Sequence, residues 1–79
     1  MTQNSGIIAA VSGSVVEVKF KKLPMMFAKL LTGENNQLVL EVQGYMNENT
    51  VRALAMGSTQ GLARGMMVID TGRQIEVPV

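Results

Sequence analysis

Apolar and polar residues alternate most regularly in two places along the chain. From Ser14 to Phe20, Val16, Val18 and Phe20 form one row while Glu17 and Lys19 form the other. From Gln37 to Gln43, Leu38, Leu40 and Val42 stand opposite Glu41 and Gln43. A period of two predicts half-buried antiparallel strands at both positions. Gly6 to Ser12 is apolar in both rows (Ile7, Ile8, Ala9, Ala10, Val11) and is expected as a strand covered on both sides. Ser12-Gly13 leaves room for a turn only, so the first two strands read as a hairpin or bent ribbon. Pro24 cannot donate to a ladder and ends the second strand after Lys21-Lys22-Leu23.

Met25 to Leu31 has helical propensities but is too short for a stable helix, and is expected as a strand. Thr32 to Asn36 is rich in turn formers and reads as a hairpin loop. Thr50 to Met56 places small residues (Val51, Ala53, Ala55) against larger ones (Leu54, Met56), which predicts burial on two sides, the second under a neighbouring subunit. Met66 to Ile69 is a short apolar run ended by an Asp70-Thr71-Gly72 turn. Gln74 to Val79 alternates again, with Ile75, Val77 and Val79 inward. Six or seven short strands with turns between them and no convincing helix predict an all-β sandwich or barrel. Closure into a barrel is favoured, because an open sheet this short would expose two apolar edges. Residues 1–5 are polar and are expected as a disordered tail, with the domain spanning 6–79.

Seventy-nine residues make one small domain, in which a large internal active site does not fit. Cys and His are both absent, so neither a disulfide nor a structural zinc site supplements the core. Packing against a partner is the remaining route, and seven methionines provide adaptable contact surface. A net charge of +1 gives no general attraction to nucleic acid or anionic lipid. The local cluster Lys19, Lys21, Lys22 and Lys29 reads as a solvated strand end and loop. No apolar run approaches the roughly 20 residues of a membrane-spanning helix, and the N-terminus has no secretion-signal pattern.

Chemistry is hard to place on these residues. Gly57, Gly61 and Gly65 recur every four residues with Arg64 before the last. A phosphate-cradling loop needs Lys and Ser/Thr directly after its closing glycine, but Leu62 follows Gly61 and Met66 follows Gly65. The dinucleotide-binding glycine pattern is absent as well. Corner-turning is the plainer role for these glycines. Without His, the available bases besides lysine are Glu17, Glu34, Glu41, Glu48, Asp70 and Glu76, mostly on outward rows or in turns. Their spacing recommends neither acid–base work nor a set of metal ligands. Phe20, Phe27 and Tyr45 do not form the aromatic row that single-stranded nucleic acid requires. The chain reads as non-catalytic.

A larger pattern runs through Leu38-Val39-Leu40-Glu41-Val42, Glu48-Asn49-Thr50-Val51-Arg52 and Ala55-Met56. It continues through Thr59, Gly61-Leu62, Arg64-Gly65, Asp70-Thr71-Gly72 and Ile75-Glu76-Val77-Pro78-Val79. Upstream, Gly6, Ile8, Val11, Gly13, Val15-Val16, Val18, Phe20 and Leu23-Pro24 keep the same spacing. Together these residues resemble the N-terminal domain of the F-type ATP synthase beta subunit. The resemblance implies a closed six-stranded Greek-key barrel that packs against alpha-type subunits, or other copies of itself, in a hexameric crown. It implies a non-catalytic assembly role, with Arg52, Arg64 and Asp70 as structural polar partners and Gly61, Gly65 and Gly72 as corners.

In that family a nucleotide-binding domain and a helical domain follow, so Mg-ATP or ADP belongs to the full-length protein and no cofactor is expected on residues 1–79. Nucleic acid and direct membrane insertion are not expected. The implied location is cytoplasmic, peripheral to the inner membrane of a bacterium, or the matrix side in an organelle. Met25 to Leu30, Gly57, Gln60 and Arg73-Gln74 depart from the beta pattern, and Gly72-Arg73 has an alpha-like flavour. The barrel of an alpha-type, vacuolar-type, flagellar or secretion ATPase is therefore the alternative, as is a stand-alone engineered barrel.

Overall fold

The computed structural model describes residues 4–75. They form six strands: β1 (Asn4–Ser12), β2 (Val15–Phe20), β3 (Ala28–Thr32), β4 (Leu38–Tyr45), β5 (Thr50–Ala55) and β6 (Met67–Gln74). All neighbours are antiparallel and the order β1-β2-β5-β4-β3-β6 closes on itself. The fold is thus an all-β closed six-stranded barrel. Hairpins join β3, β4 and β5 in sequence, and β6 returns to lie beside β3, which is a Greek key. Two longer connections make this possible. Residues 21–27 cross one end of the barrel, and residues 56–66 cross the other.

The alternating rows read from the sequence fill the interior. Val16, Val18 and Phe20 of β2, Leu40 and Val42 of β4, and Val51 and Ala53 of β5 are buried, together with Ile8, Ala28, Leu30 and Val68. Gly6 lies opposite Phe20 in the β1–β2 register, beneath the phenyl ring. A Cβ there would stand 2.5 Å from the Lys19 carbonyl oxygen and 2.8 Å from the ring, so the close approach of β1 to β2 requires glycine.

Three irregularities bend the sheet, and those in β1 and β6 correct a reading of the sequence. In β1, Ile8 pairs with Val18 but Ala10 pairs with Glu17, so Ala9 is an extra residue. Such a bulge reverses the side-chain phase. Ile8 and Val11 then both reach the core side, while Ile7 is 54% exposed. The apolar run of β1 therefore reflects a phase change and not cover on both faces. In β4, an extra residue between Val42 and Gly44 bends the strand in the same way.

The third irregularity lies in β6. Leu30 pairs with Asp70 and Ala28 with Gln74, so two steps along β3 are matched by four along β6. The Asp70-Thr71-Gly72 segment has the chemistry of a turn: Gly72 N donates to Asp70 Oδ1 (2.9 Å) and Gly72 has φ +73°. The Thr71 hydroxyl, however, donates to the Lys29 carbonyl at 2.7 Å and keeps the segment on β3. The turn becomes a bulge, and one strand runs through where a break was expected.

Two boundaries also move. Asn4 and Ser5, placed in the tail by the sequence, pair with Asp70 and Ile69 and open β1. Met25, Met26 and Phe27, expected in the third strand, form the approach to it: Ala28 N donates to the Met25 carbonyl (3.1 Å), and β3 begins at Ala28. Of the expected last strand, Gln74 ends β6 and Ile75 is half-buried after it. Val77 and Val79 lie outside the described residues.

Candidate functional site

A closed barrel has no free strand edge, so it can associate through the packing of its outer side chains but not by adding a strand. Those side chains are unevenly distributed. Across β1, β6, β3 and β4 the register brings apolar outward positions into line. Ile7 lies opposite Met67, Ile69 opposite Leu31, and Leu31 opposite Val39. The row continues past β4, where Met56 N donates to the Val39 carbonyl at 2.8 Å. Met67 is 63% exposed, while Ile69, Leu31 and Val39 are half-buried. Opposite residues on adjacent strands have Cβ atoms about 5 Å apart, so this is one surface. Scattered apolar residues on a surface are ordinary, but an aligned row of them is informative.

The flank over β2 and β5 is different. There Glu17 lies opposite Arg52 and Lys19 opposite Thr50, beside one apolar pair, Val15 opposite the exposed Leu54. Arg52 is exposed on this charged wall, and Arg64 is exposed in the 56–66 connection. Neither guanidinium has a hydrogen-bond partner among the described residues. Asp70 is placed differently: half-buried in β6, its Oδ2 accepts from Asn4 Nδ2 (3.2 Å) and its Oδ1 from Gly72 N. The three polar candidates are thus not brought together. Gly61 and Gly65 both have positive φ and sit at the corners of the 56–66 connection.

Three amides of that connection are engaged within the fold. Gly65 N donates to the Ile8 carbonyl (2.9 Å), Leu62 N to the Thr59 carbonyl (3.0 Å) and Met66 N to the Ala63 carbonyl (3.2 Å). Amides engaged within the fold are not available to surround a phosphate. Among the described residues no group of three or more Asp or Glu side chains is placed to hold a metal ion. The chemistry on view is that of packing: the apolar row is the feature whose exposure calls for an explanation. The sequence signalled it only as apolar residues on both faces of β1 and β5, because the alignment arises from pairing between distant strands.

The sequence model that matches this chain is that of the ATP synthase alpha/beta family, beta-barrel domain, over residues 8–72. The match covers most of the chain and runs from within β1 to the bulge of β6. The chain belongs to this family and contains its N-terminal barrel.

Proposed function

From that membership, we propose that the barrel is the assembly module of a beta-type subunit of a rotary F-type ATP synthase. It packs laterally against alpha-type barrels in a hexameric crown, with further copies of itself as the second possible neighbour. The observation that carries this reading is the row Met67, Ile69, Leu31 and Val39, aligned across three strands of a barrel that has no edge to offer. Burying such a row against a like surface removes apolar area from water at about 25 cal/mol per Å². The Asn49-Thr50-Val51-Arg52 block supports a beta-type over an alpha-type assignment. Nucleotide chemistry is assigned to other parts of the assembly, on the membrane-peripheral side, and the barrel resists the torque that chemistry generates.

Sedimentation velocity over a concentration series, with and without an alpha-type barrel, tests the reading. The expected result is a larger species in the mixture, lost when Met67→Asp and Ile69→Asp are introduced together while the far-ultraviolet circular dichroism stays unchanged. A chain that remains monomeric at every concentration in both settings overturns it.

A further inference from the structure

The 21–27 connection is held in an unusual way. Its carbonyls at every second residue accept from side chains of three different strands. Asn4 Nδ2 of β1 donates to the Lys22 carbonyl (2.7 Å), Tyr45 Oη of β4 to the Pro24 carbonyl (2.8 Å), and Gln74 Nε2 of β6 to the Met26 carbonyl (3.1 Å). The Phe27 amide adds a bond to the Val42 carbonyl (3.0 Å). A crossover fixed at this many points is a preorganised platform and not a slack linker. It presents apolar side chains to solvent: Met25 is 48% exposed and Phe27 49%. Tyr45 and Met46, from the end of β4, are exposed at the same end of the barrel.

Phe27 has φ +64°, a conformation that a bulky L-residue adopts only under strain. Folding alone favours Gly or Asn there. A strained backbone carrying an exposed aromatic ring is therefore better explained by what the ring does than by the barrel. Along the same connection, Leu23, Pro24, Met25 and Tyr45, together with Asn4, Lys22 and Asp70, line a shallow groove of about 610 Å³.

Lys22 lines the groove, and Lys21 precedes it in the same connection and is exposed. Lys19 and Arg73 stand near the same end, at the close of β2 and β6. With Lys29 at the start of β3, these cations outnumber the described acidic residues at this end, which are Glu41 opposite Lys29, Glu48, and Asp70, whose oxygens accept from Asn4 and Gly72. The surface is thus concave and largely apolar, with Lys22 and Asp70 in its lining and an excess of cations around it.

We propose that this end of the barrel docks an acidic amphipathic polypeptide segment, with Phe27 and Met25 as the anchors. Apolar residues on one face of the segment enter the groove, and carboxylates on its other face meet Lys21, Lys22, Lys19 and Arg73. Thioethers adapt to aliphatic side chains, which suits a helical segment. A bilayer presents no protruding chain to fill a groove, and bases would need a longer aromatic row. This surface lies at the end of the barrel, not on its flank, and its occupation does not depend on lateral assembly.

The test uses the full chain and a fluorescein-labelled helical peptide with leucines on one face and glutamates on the other. A control peptide carries lysines in place of the glutamates. Fluorescence anisotropy is expected to show saturable binding of the acidic peptide only, weakening about tenfold from low to high salt. Phe27→Asn is expected to weaken binding at least about fivefold while raising the urea midpoint, a pairing that misfolding cannot produce. Lys21→Glu with Lys22→Glu is expected to abolish the salt dependence. Equal binding of both peptides overturns the proposal, as does full affinity in Phe27→Asn. So does failure to bind the acidic peptide, whether or not anionic vesicles or a single-stranded oligonucleotide bind instead.

Discussion

Asn4 and Asp70 face each other as the terminal register pair of β1 and β6, and Asn4 Nδ2 donates to both Asp70 Oδ2 and the Lys22 carbonyl. One side-chain amide thereby joins the seam that closes the barrel to the crossover beneath it. Asn4→Ala removes both bonds and is expected to cost about 1–2 kcal/mol. Asp70→Ala also frees Gly72 N from its acceptor and is expected to cost a similar amount. Because the two residues share a bond, the double variant is expected to lose less than the sum of the single ones. Urea denaturation of the four proteins measures this. Strict additivity would show that the Asn4–Asp70 contact contributes nothing of its own.

Two glycines separate the demands of space from those of backbone conformation. Gly6→Ala places a methyl group against the Lys19 carbonyl and the Phe20 ring, where backbone has to move. The expected loss is about 2–3 kcal/mol, in the range of overpacked cores. At Gly72 a Cβ meets nothing within 4 Å, but φ is +73°. Gly72→Ala is therefore expected to cost about 1 kcal/mol, from the left-handed conformation alone. Thermal unfolding of the two variants tests the ranking, and a larger loss at Gly72 than at Gly6 reverses the argument.

Thr32 is fully buried among apolar residues, and its hydroxyl donates to the Met67 carbonyl at 2.9 Å. That bond ties the end of β3 to the start of β6, the strand that the Greek key brings back from across the barrel. Thr32→Val keeps the shape and removes the donor, with an expected cost of about 1 kcal/mol. Thr32→Ser keeps the donor and removes a methyl group, with a cost of about the same size. If Thr32→Val proves neutral in equilibrium unfolding, the carbonyl has found another donor and the tie is dispensable.

The parts of this fold legible in the sequence are those governed by local alternation. Spacing alone places Val16, Val18, Phe20, Leu38, Leu40 and Val42 inward, and all are buried except Leu38, which is half-buried. What was not legible depends on pairing at a distance. Ala9 is an extra residue only relative to Val18 and Glu17, so β1 looked apolar on two faces. Asp70-Thr71-Gly72 forms a turn by its own hydrogen bonds, and only the Lys29 carbonyl, 42 positions away, shows that it is a bulge. The outer row was hidden for the same reason, since Ile69, Leu31 and Val39 become neighbours only once β6 has crossed to β3. The resemblance carried the barrel further than periodicity did, because it encodes the pairing that a single sequence leaves open.

Arg52 and Arg64 are expected from the sequence as structural polar partners. Both are exposed, Arg52 opposite Glu17 on the outer wall and Arg64 in the 56–66 connection. An exposed cross-strand pair of opposite charges contributes a few tenths of a kcal/mol and is screened by salt. Arg52→Ala and Arg64→Ala are accordingly expected to leave stability within about 0.5 kcal/mol of the parent. If either residue serves assembly, its effect belongs in the association constant, where removal of a rim charge slows encounter and flattens the salt dependence. Urea unfolding and sedimentation of the same variants separate the two roles. A loss of more than about 1 kcal/mol in unfolding would restore the arginine concerned as a structural partner within the barrel.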